Sequence, residues 1–171
     1  MAPRRPRPRL RDGTEVAAWM FKANPDVWDV LAFLASGVDV DSWRMAPSYR
    51  VDLIEPGHPC VLWVTGPRGA RHTPGVWAIG EITGEPFDDV GDPDDPLWID
   101  LGAQRQVRPF VEVSMQVLAE PIPRQELAAE PGFAGAEILT RPRMGSPLAV
   151  TPEELDVILA RAGSSEPDPR Q

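Results

Sequence analysis

The sequence predicts an α+β domain in which a small curved sheet or open barrel of short strands is flanked by short helices. Residues 108–118 alternate between apolar and polar side chains, which is the period of a strand with one buried face. Residues 60–65 and 75–83 are compact apolar segments on either side of a turn-rich loop, as in a hairpin. Residues 151–154 read Thr-Pro-Glu-Glu, a capping box that opens a C-terminal helix ending near Gly163.

The remaining elements follow from the same local signals. Residues 16–23 form a strand with Trp19 and Phe21 on one face and Met20 and Lys22 on the other. An Asn-Pro pair at 24–25 favours a helix running to about residue 35, with Asn24 as its N-cap. We also expect short helical segments at 47–54, 123–129 and 134–140, and a proline-rich acidic loop at 84–96.

Length and composition favour one folded domain between two tails. A chain of 171 residues with 42% hydrophobic residues and six tryptophans can bury a single core. Residues 1–13 are an Arg/Pro-rich arm that we expect to be disordered, either a solvated tail or a phosphate contact. Residues 14–163 are the predicted domain, and residues 164–171 a second disordered tail.

Charge and cysteine content limit the classes of function. The formal net charge is -9, so a nucleic-acid site would need a local basic patch. The best candidates for phosphate contacts are Arg68, Arg71, Arg141 and Arg143, because a guanidinium matches phosphate with a planar fork. A lone Cys60 forms no internal disulfide and is consistent with a reducing, cytoplasmic location. No apolar run approaches the ~20 residues of a membrane helix.

An ordered set of motifs carries a family resemblance over residues 16–160. The chain reads Trp-x-Phe-Lys-x-Asn-Pro at 19–25, followed by Trp43 in a polar loop and Tyr-Arg at 49–50. Leu-Trp at 62–63, Val-x-Ala-Ile-Gly-Glu-Ile at 76–82 and the late segment 139–155 follow at matching spacing. This order resembles the EVE domain, a member of the PUA-like superfamily related to the YTH readers of modified bases. The resemblance implies a PUA-like open barrel or curved mixed sheet.

The resemblance also implies a function and a set of site residues. A relative of YTH readers is expected to be a non-catalytic module that recognises a modified nucleobase in DNA or RNA through an aromatic cage. By position, Trp43 flanked by Ser42 is one wall and Trp98 the other, with Trp63 as a further wall. The segment Lys22, Ala23 and Asn24 would face the base edge. The implied partners are a nucleic acid carrying a modified base and a separate effector protein, with no membrane.

Several of these residues also have a structural interpretation. Trp63 alternates with core positions and Asn24 suits a helix N-cap, so either role explains each of them. Trp43 lies among polar neighbours, where a purely structural role is less natural.

Catalysis has little support in the sequence. His58 lies in a turn, His72 lies in a basic loop, and neither has a metal-ligand partner at usable spacing. Cys60 begins an apolar strand, and no phosphate-binding glycine motif or nucleophile elbow is present. We therefore expect neither an enzyme nor a cofactor or metal. Two alternatives stay open, an ASCH-like RNA-processing enzyme on the same barrel and a small-ligand or protein-interaction sensor.

Overall fold

Seven strands form one curved, unclosed sheet in a computed structural model that describes residues 6–66 and 70–164. The strands are β1 (Ala18–Ala23), β2 (Val40–Arg44), β3 (Pro59–Val64), β4 (Gly75–Ile82), β5 (Phe87–Asp89), β6 (Arg108–Pro123) and β7 (Leu148–Val150). Their order is β2-β6-β4-β3-β1-β7, and β5 pairs with β6 beyond the end of β4. The pairing of β1 with β3 is parallel, and the others are antiparallel.

Short helices flank the sheet, which confirms the predicted fold class. They are α1 (Val30–Ala35), a 3-10 helix (Tyr49–Leu53), α2 (Leu101–Gln104), α3 (Arg124–Ala128), α4 (Glu137–Thr140) and α5 (Pro152–Ser164). Within the described ranges, none is long and apolar enough to cross a membrane.

The sheet buries both of its faces. Trp19 and Phe21 of β1 belong to one hydrophobic cluster, which also contains Leu34 of α1. Met20 belongs to a second cluster on the opposite face, together with Leu127 of α3 and further residues of α4 and α5. The alternation predicted for this strand is confirmed, because successive side chains of a strand point to opposite faces.

The hairpin and the capping box are also present. Strands β3 and β4 pair in register, with Cys60 opposite Gly80 and Leu62 opposite Ala78. At the start of α5, Thr151 Oγ1 accepts from the Glu154 N–H at 3.3 Å. Glu154 Oε1 accepts in return from the Thr151 N–H at 3.1 Å, so two otherwise unpaired donors are satisfied.

Helix α1 begins later than the sequence predicts. Asn24 is not its N-cap, since Asn24 Oδ1 accepts from the Asp26 N–H at 2.9 Å in a turn. The cap is Asp29, whose Oδ1 accepts from the Ala32 N–H at 3.1 Å. The backbone before Val30 pairs instead with a distant segment of the chain, described below, and a paired backbone cannot also be helical.

The strand predicted at 108–118 is longer than its alternating pattern, because its second half is held by pairing. After a register shift, Ile122 lies opposite Val76 of β4, and the ladder extends to Pro123. The first half of β6 pairs with β2 and β5 as well as β4, which places β6 at the centre of the region that carries the site.

The start of the chain is part of the packing from residue 6. Leu10 is 6% exposed and belongs to the first core cluster, where the sequence predicted an arm with no share in the core. The Arg11 N–H donates to the Tyr49 hydroxyl at 3.2 Å, and the Arg11 guanidinium lies 4.0 Å from the Tyr49 ring centroid. Residues 1–5 of that arm and residues 165–171 of the predicted tail lie outside the described residues.

Candidate functional site

A pocket of about 710 Å³ opens between β2, the turn after β1 and the acidic loop. We call it the tryptophan pocket, because Trp28, Trp43 and Trp98 all line it. The structure brings together six of the seven residues predicted to contact a base: Lys22, Ala23, Asn24, Ser42, Trp43 and Trp98. Along the chain these six residues come from three separate segments, 22–24, 42–43 and 98.

Trp43 is a fixed wall of this pocket. It lies on β2 opposite Val111 of β6 and is 8% exposed. Its indole Nε1 donates to the Lys22 carbonyl at 3.3 Å. Its ring meets the Trp28 ring edge-on, with centroids 5.8 Å apart and planes at 82°, an arrangement favoured between aromatic rings. The hydrogen bond and the ring contact together set its orientation.

Trp28 is a pocket residue that is absent from the set predicted to contact a base. It is half-buried, and its Nε1 donates to Asp95 Oδ2 at 2.8 Å. The Phe33 ring packs against it with centroids 4.9 Å apart. The sequence holds no local signal for this role, because Asp95 is 67 residues away along the chain.

Trp98 reaches the pocket through backbone pairing. The Asp29 N–H donates to the Leu97 carbonyl at 2.8 Å, and the Ile99 N–H donates to the Val27 carbonyl at 2.9 Å. These bonds set Trp28 and Trp98 opposite each other in an antiparallel bridge. The acidic loop is thereby attached to the segment before α1.

Gly91 lets the Trp98 ring lie against the backbone. A Cβ at position 91 would come within 2.4 Å of Trp98 Cζ2, closer than real contacts allow. Gly91 is held in place by Gln104, whose side-chain amide donates to the Gly91 carbonyl and whose own carbonyl accepts from the Gly91 N–H. The Trp98 ring therefore occupies space that is open because residue 91 has no side chain.

Arg44 places a cation over Trp98. Its guanidinium lies 5.3 Å from the Trp98 ring centroid, within the range of a cation–π interaction. Its Nη2 donates to the Gln106 carbonyl at 2.9 Å. Burial, with a smaller contribution from Arg108, lowers the pKa of Arg44 below its usual value.

Lys22 forms hydrogen bonds through its ammonium group, its backbone N–H and its carbonyl. Its Nζ donates to the Pro142 carbonyl at 2.7 Å and the Met144 carbonyl at 3.0 Å. Its N–H donates to Ser146 Oγ at 2.7 Å, while its carbonyl accepts from Trp43. Burial lowers the pKa of this ammonium. Lys22 thus links β1 to the segment before β7 and to the pocket wall.

The charge around the tryptophan pocket is mixed. Four carboxylates line it, Asp41, Asp89, Asp92 and Asp95, together with the cations Lys22, Arg44 and Arg108. Such a lining suits a planar, uncharged ring between aromatic walls better than a phosphate group.

The comparisons with known proteins agree with this architecture. The family model of the EVE domain matches residues 17–161. The chain belongs to the EVE domain family. A search of curated protein sequences gives no match.

Solved structures share the fold of this EVE domain at low sequence identity. A protein from Pseudomonas putida is 22% identical with a TM-score of 0.61, covering 85% of this chain and 99% of its own. A protein from Leishmania major is 15% identical with a TM-score of 0.60, covering 88% of this chain and 96% of its own. Human THYN1, solved in complex with DNA containing 5-methylcytosine, is 20% identical with a TM-score of 0.54, covering 88% and 99%.

The seventh residue predicted to contact a base lies elsewhere in this EVE domain. Trp63 is 2% exposed on the other face of the sheet, where it stacks on Phe133 with centroids 6.4 Å apart. It does not line the tryptophan pocket, because successive β3 side chains alternate between the two faces.

The arginines predicted to contact phosphate are at the surface. Arg71, Arg141 and Arg143 are exposed, and none lines the tryptophan pocket. Arg68 lies outside the described residues.

The thiol of Cys60 and the imidazole of His58 lie away from the tryptophan pocket. Cys60 is fully buried, and burial raises the pKa of its thiol to about 12, so it stays protonated at neutral pH. His58 accepts at Nδ1 from Trp19 Nε1 at 3.2 Å. Over residues 6–66 and 70–164 there is no group of three or more side chains that could hold a metal ion.

Proposed function

We propose that this EVE domain is a non-catalytic module that binds a modified nucleobase of DNA or RNA in the tryptophan pocket. The observation that carries the proposal is the meeting of Trp28, Trp43 and Trp98, from three separate segments, around one pocket. Aromatic walls of this kind hold a flipped or single-stranded base by stacking, with a free energy of about 1–3 kcal/mol per base.

A modified base is proposed because apolar walls respond to a methyl group. A methyl fills apolar space that an unmodified base leaves empty, and one such group changes affinity about 10- to 200-fold in a fitted pocket. Human THYN1, with the same fold, was solved with DNA containing 5-methylcytosine. A methylated cytosine is therefore the first ligand to test for this chain.

The remaining residues are proposed to contact either the edge of the base or the phosphate backbone of the nucleic acid. Ser42, Asn24, Lys22 and Ala23 are proposed to face the base edge, since all four line the pocket and an amide side chain can pair with two edge atoms. Exposed Arg71, Arg141 and Arg143 are proposed for phosphate, and a separate effector protein remains the proposed partner.

The test is a titration of tryptophan fluorescence with four matched single-stranded oligonucleotides. They are unmodified, methylated on cytosine, hydroxymethylated on cytosine, and methylated on adenine. We expect one modified strand to quench emission at the lowest concentration, and Trp98→Ala to remove that selectivity. The matched control is Trp77→Ala, because Trp77 does not line the tryptophan pocket and its indole N–H donates instead to the Thr73 carbonyl.

Two results would overturn the proposal. One is an equal response to all four strands in low salt. The other is a folded Trp98→Ala protein, verified by circular dichroism, that binds every strand as the parent does.

The acidic lining favours a second candidate, a sensor of a free nucleoside or similar small ligand. Asp41, Asp89, Asp92 and Asp95 would repel a polyanion at the pocket mouth. The same titration with free 5-methylcytidine separates the two. Salt-independent binding of the nucleoside with no binding of oligonucleotides would favour the sensor.

A further inference from the structure

A second cavity, of about 290 Å³, lies directly beside the tryptophan pocket. The two share Lys22 and Asn24, and Trp63 on the other face of the sheet also lines the second cavity. A strand that leaves the tryptophan pocket over Lys22 and Asn24 would pass the end of β1 to reach it. The polar residues that line the second cavity are Lys22, Asn24, Asp26, Thr65, His72 and Arg124.

The balance of charge in the second cavity differs from that in the first. Four carboxylates and three cations line the tryptophan pocket, whereas among the described residues Asp26 is the one carboxylate of the second cavity, against the cations Lys22 and Arg124. Arg124 is exposed at the start of α3, and its guanidinium makes no ion pair or hydrogen bond within the described residues. It is therefore free to form charge-assisted hydrogen bonds with an anion, for which its planar fork is suited.

His72 is oriented so that one ring nitrogen is left for a ligand. Its Nε2 lies 2.8 Å from the Thr65 carbonyl, and because a carbonyl only accepts, Nε2 carries the hydrogen. The ring fits there because residue 66 is glycine, since a Cβ at Gly66 would come within 2.6 Å of His72 Nε2. In this tautomer Nδ1 is an acceptor, so it is left for a hydrogen-bond donor of the ligand and not for a phosphate oxygen.

Three further arginines are sequence neighbours of residues that line this cavity. Arg71 directly precedes His72, and Arg141 and Arg143 flank Pro142, which also lines the cavity. All three are exposed. The opposite side of the tryptophan pocket is formed by the acidic loop, so the two sides of that pocket differ in charge.

From this arrangement we infer that the second cavity is the subsite for the phosphate next to the bound base. The strand then leaves the tryptophan pocket on one side only, across Lys22 and Asn24 toward Arg124 and His72. This rests on the proposed function, and it adds a direction for the strand, one phosphate-binding residue, Arg124, and an acceptor beside it, His72 Nδ1. Phosphate contacts of this kind fix the register of a strand without reading its sequence.

The test measures binding of single-stranded oligonucleotides that carry 5-methylcytosine, by fluorescence anisotropy over a salt series. Arg124→Ala is expected to lower the slope of log Kd against log salt by about one, and to weaken binding roughly five- to tenfold in about 50 mM salt. Arg105→Ala is the matched control, because Arg105 is exposed and lines neither cavity. Asp26→Asn is expected to strengthen binding.

A neutral methylphosphonate on the 5′ or the 3′ side of the modified base locates the contact. The parent protein should lose affinity for one of these two strands only, and Arg124→Ala should no longer distinguish that strand from the normal one. Equal losses for both strands, or an unchanged salt slope in Arg124→Ala, would overturn the subsite.

The two proposals fail in different ways. If Arg124→Ala binds as the parent does while Trp98→Ala loses selectivity, the subsite is wrong and base binding stands. If no modified base is selected, but unmodified strands bind with a salt slope that Arg124→Ala lowers, the anion subsite stands without the base reader.

Discussion

The Trp28 indole donates to the Asp95 carboxylate at 2.8 Å, and this bond joins the segment before α1 to the acidic loop. Asp95 Oδ1 also accepts from the Leu97 N–H at 2.9 Å, so one carboxylate fixes both its own loop and a pocket wall. The acidic loop is therefore part of the site. Its charge lies beside the aromatic walls and influences which ligands can approach.

Removal of the Asp95 carboxylate should loosen the pocket. Asp95→Ala leaves the half-buried Trp28 N–H without its partner, and hydrogen bonds to charged groups contribute about 1.5–3 kcal/mol. We expect a lower free energy of unfolding by about that amount in urea denaturation, with a shift in tryptophan emission. Asp94→Ala is the control, because that side chain is exposed, and it should change stability by less than about 0.5 kcal/mol. Equal effects of the two substitutions would contradict this role of Asp95.

A methyl group at position 91 should displace Trp98. Gly91→Ala puts a Cβ within 2.4 Å of the indole, and such overpacking costs about 1–3 kcal/mol. We expect a lower Tm and loss of ligand-dependent quenching. Gly135→Ala is the matched control, since nothing lies within 4 Å of a Cβ there. A Gly91→Ala protein with parental stability and quenching would show that Trp98 does not need this open space.

Breaking the buried ion pair of Arg50 and Glu137 should lower the free energy of unfolding more than breaking an exposed pair does. Both guanidinium Nη atoms donate to Glu137 at 2.8 Å, and the Ala149 N–H donates to the same carboxylate at 2.8 Å. The Glu137 hydrogen bonds raise the pKa of Arg50, so Glu137→Ala would leave a buried charge unpaired. We expect a loss of about 3–5 kcal/mol in the free energy of unfolding.

The control for that substitution is Glu130→Ala. Glu130 pairs with Arg161 at 2.5 Å, but the pair is about one-third exposed and Arg161 also bonds Glu126. Exposed pairs contribute little to stability, because water and salt screen their charges and holding two long side chains in one geometry costs entropy. A Glu137→Ala loss as small as the Glu130→Ala loss would show that burial adds nothing to the Arg50 pair.

Stability should fall in mild acid because of His58. Its Nδ1 accepts from Trp19 Nε1 and the Glu55 N–H, so the folded protein holds the ring neutral. Burial lowers the pKa of His58 below the 6.5 of a free histidine, with Glu55 opposing the shift. The unfolded chain therefore binds more protons below about pH 6.5, and stability decreases as pH falls through that window.

Urea denaturation at about pH 7.5 and pH 5.5 measures this dependence. The parent should lose stability between the two, and His58→Gln should lose less, because its amide does not titrate in that range. A parent whose stability is unchanged or higher at the lower pH would contradict the neutral, accepting role of His58.

Elements whose signals are local could be predicted from the sequence. The alternation of β1, the β3–β4 hairpin and the capping box before α5 are each encoded by neighbouring residues of the chain, and all three are present. Helix α1 was predicted too long, because the Asn-Pro signal competes with the pairing of residues 27–29 to residues 97–100. That pairing joins segments about 70 residues apart, and neither segment contains a local sequence signal that predicts it.

The sequence by itself determined the fold class, the family and six of the residues that line the tryptophan pocket. Only the tertiary structure decided that Trp28 belongs to the pocket while Trp63 lies on the opposite face of the sheet. The role of a tryptophan depends on its partners, such as Asp95 for Trp28 and Phe133 for Trp63. Those partners come from distant segments, and long-range packing alone brings them together.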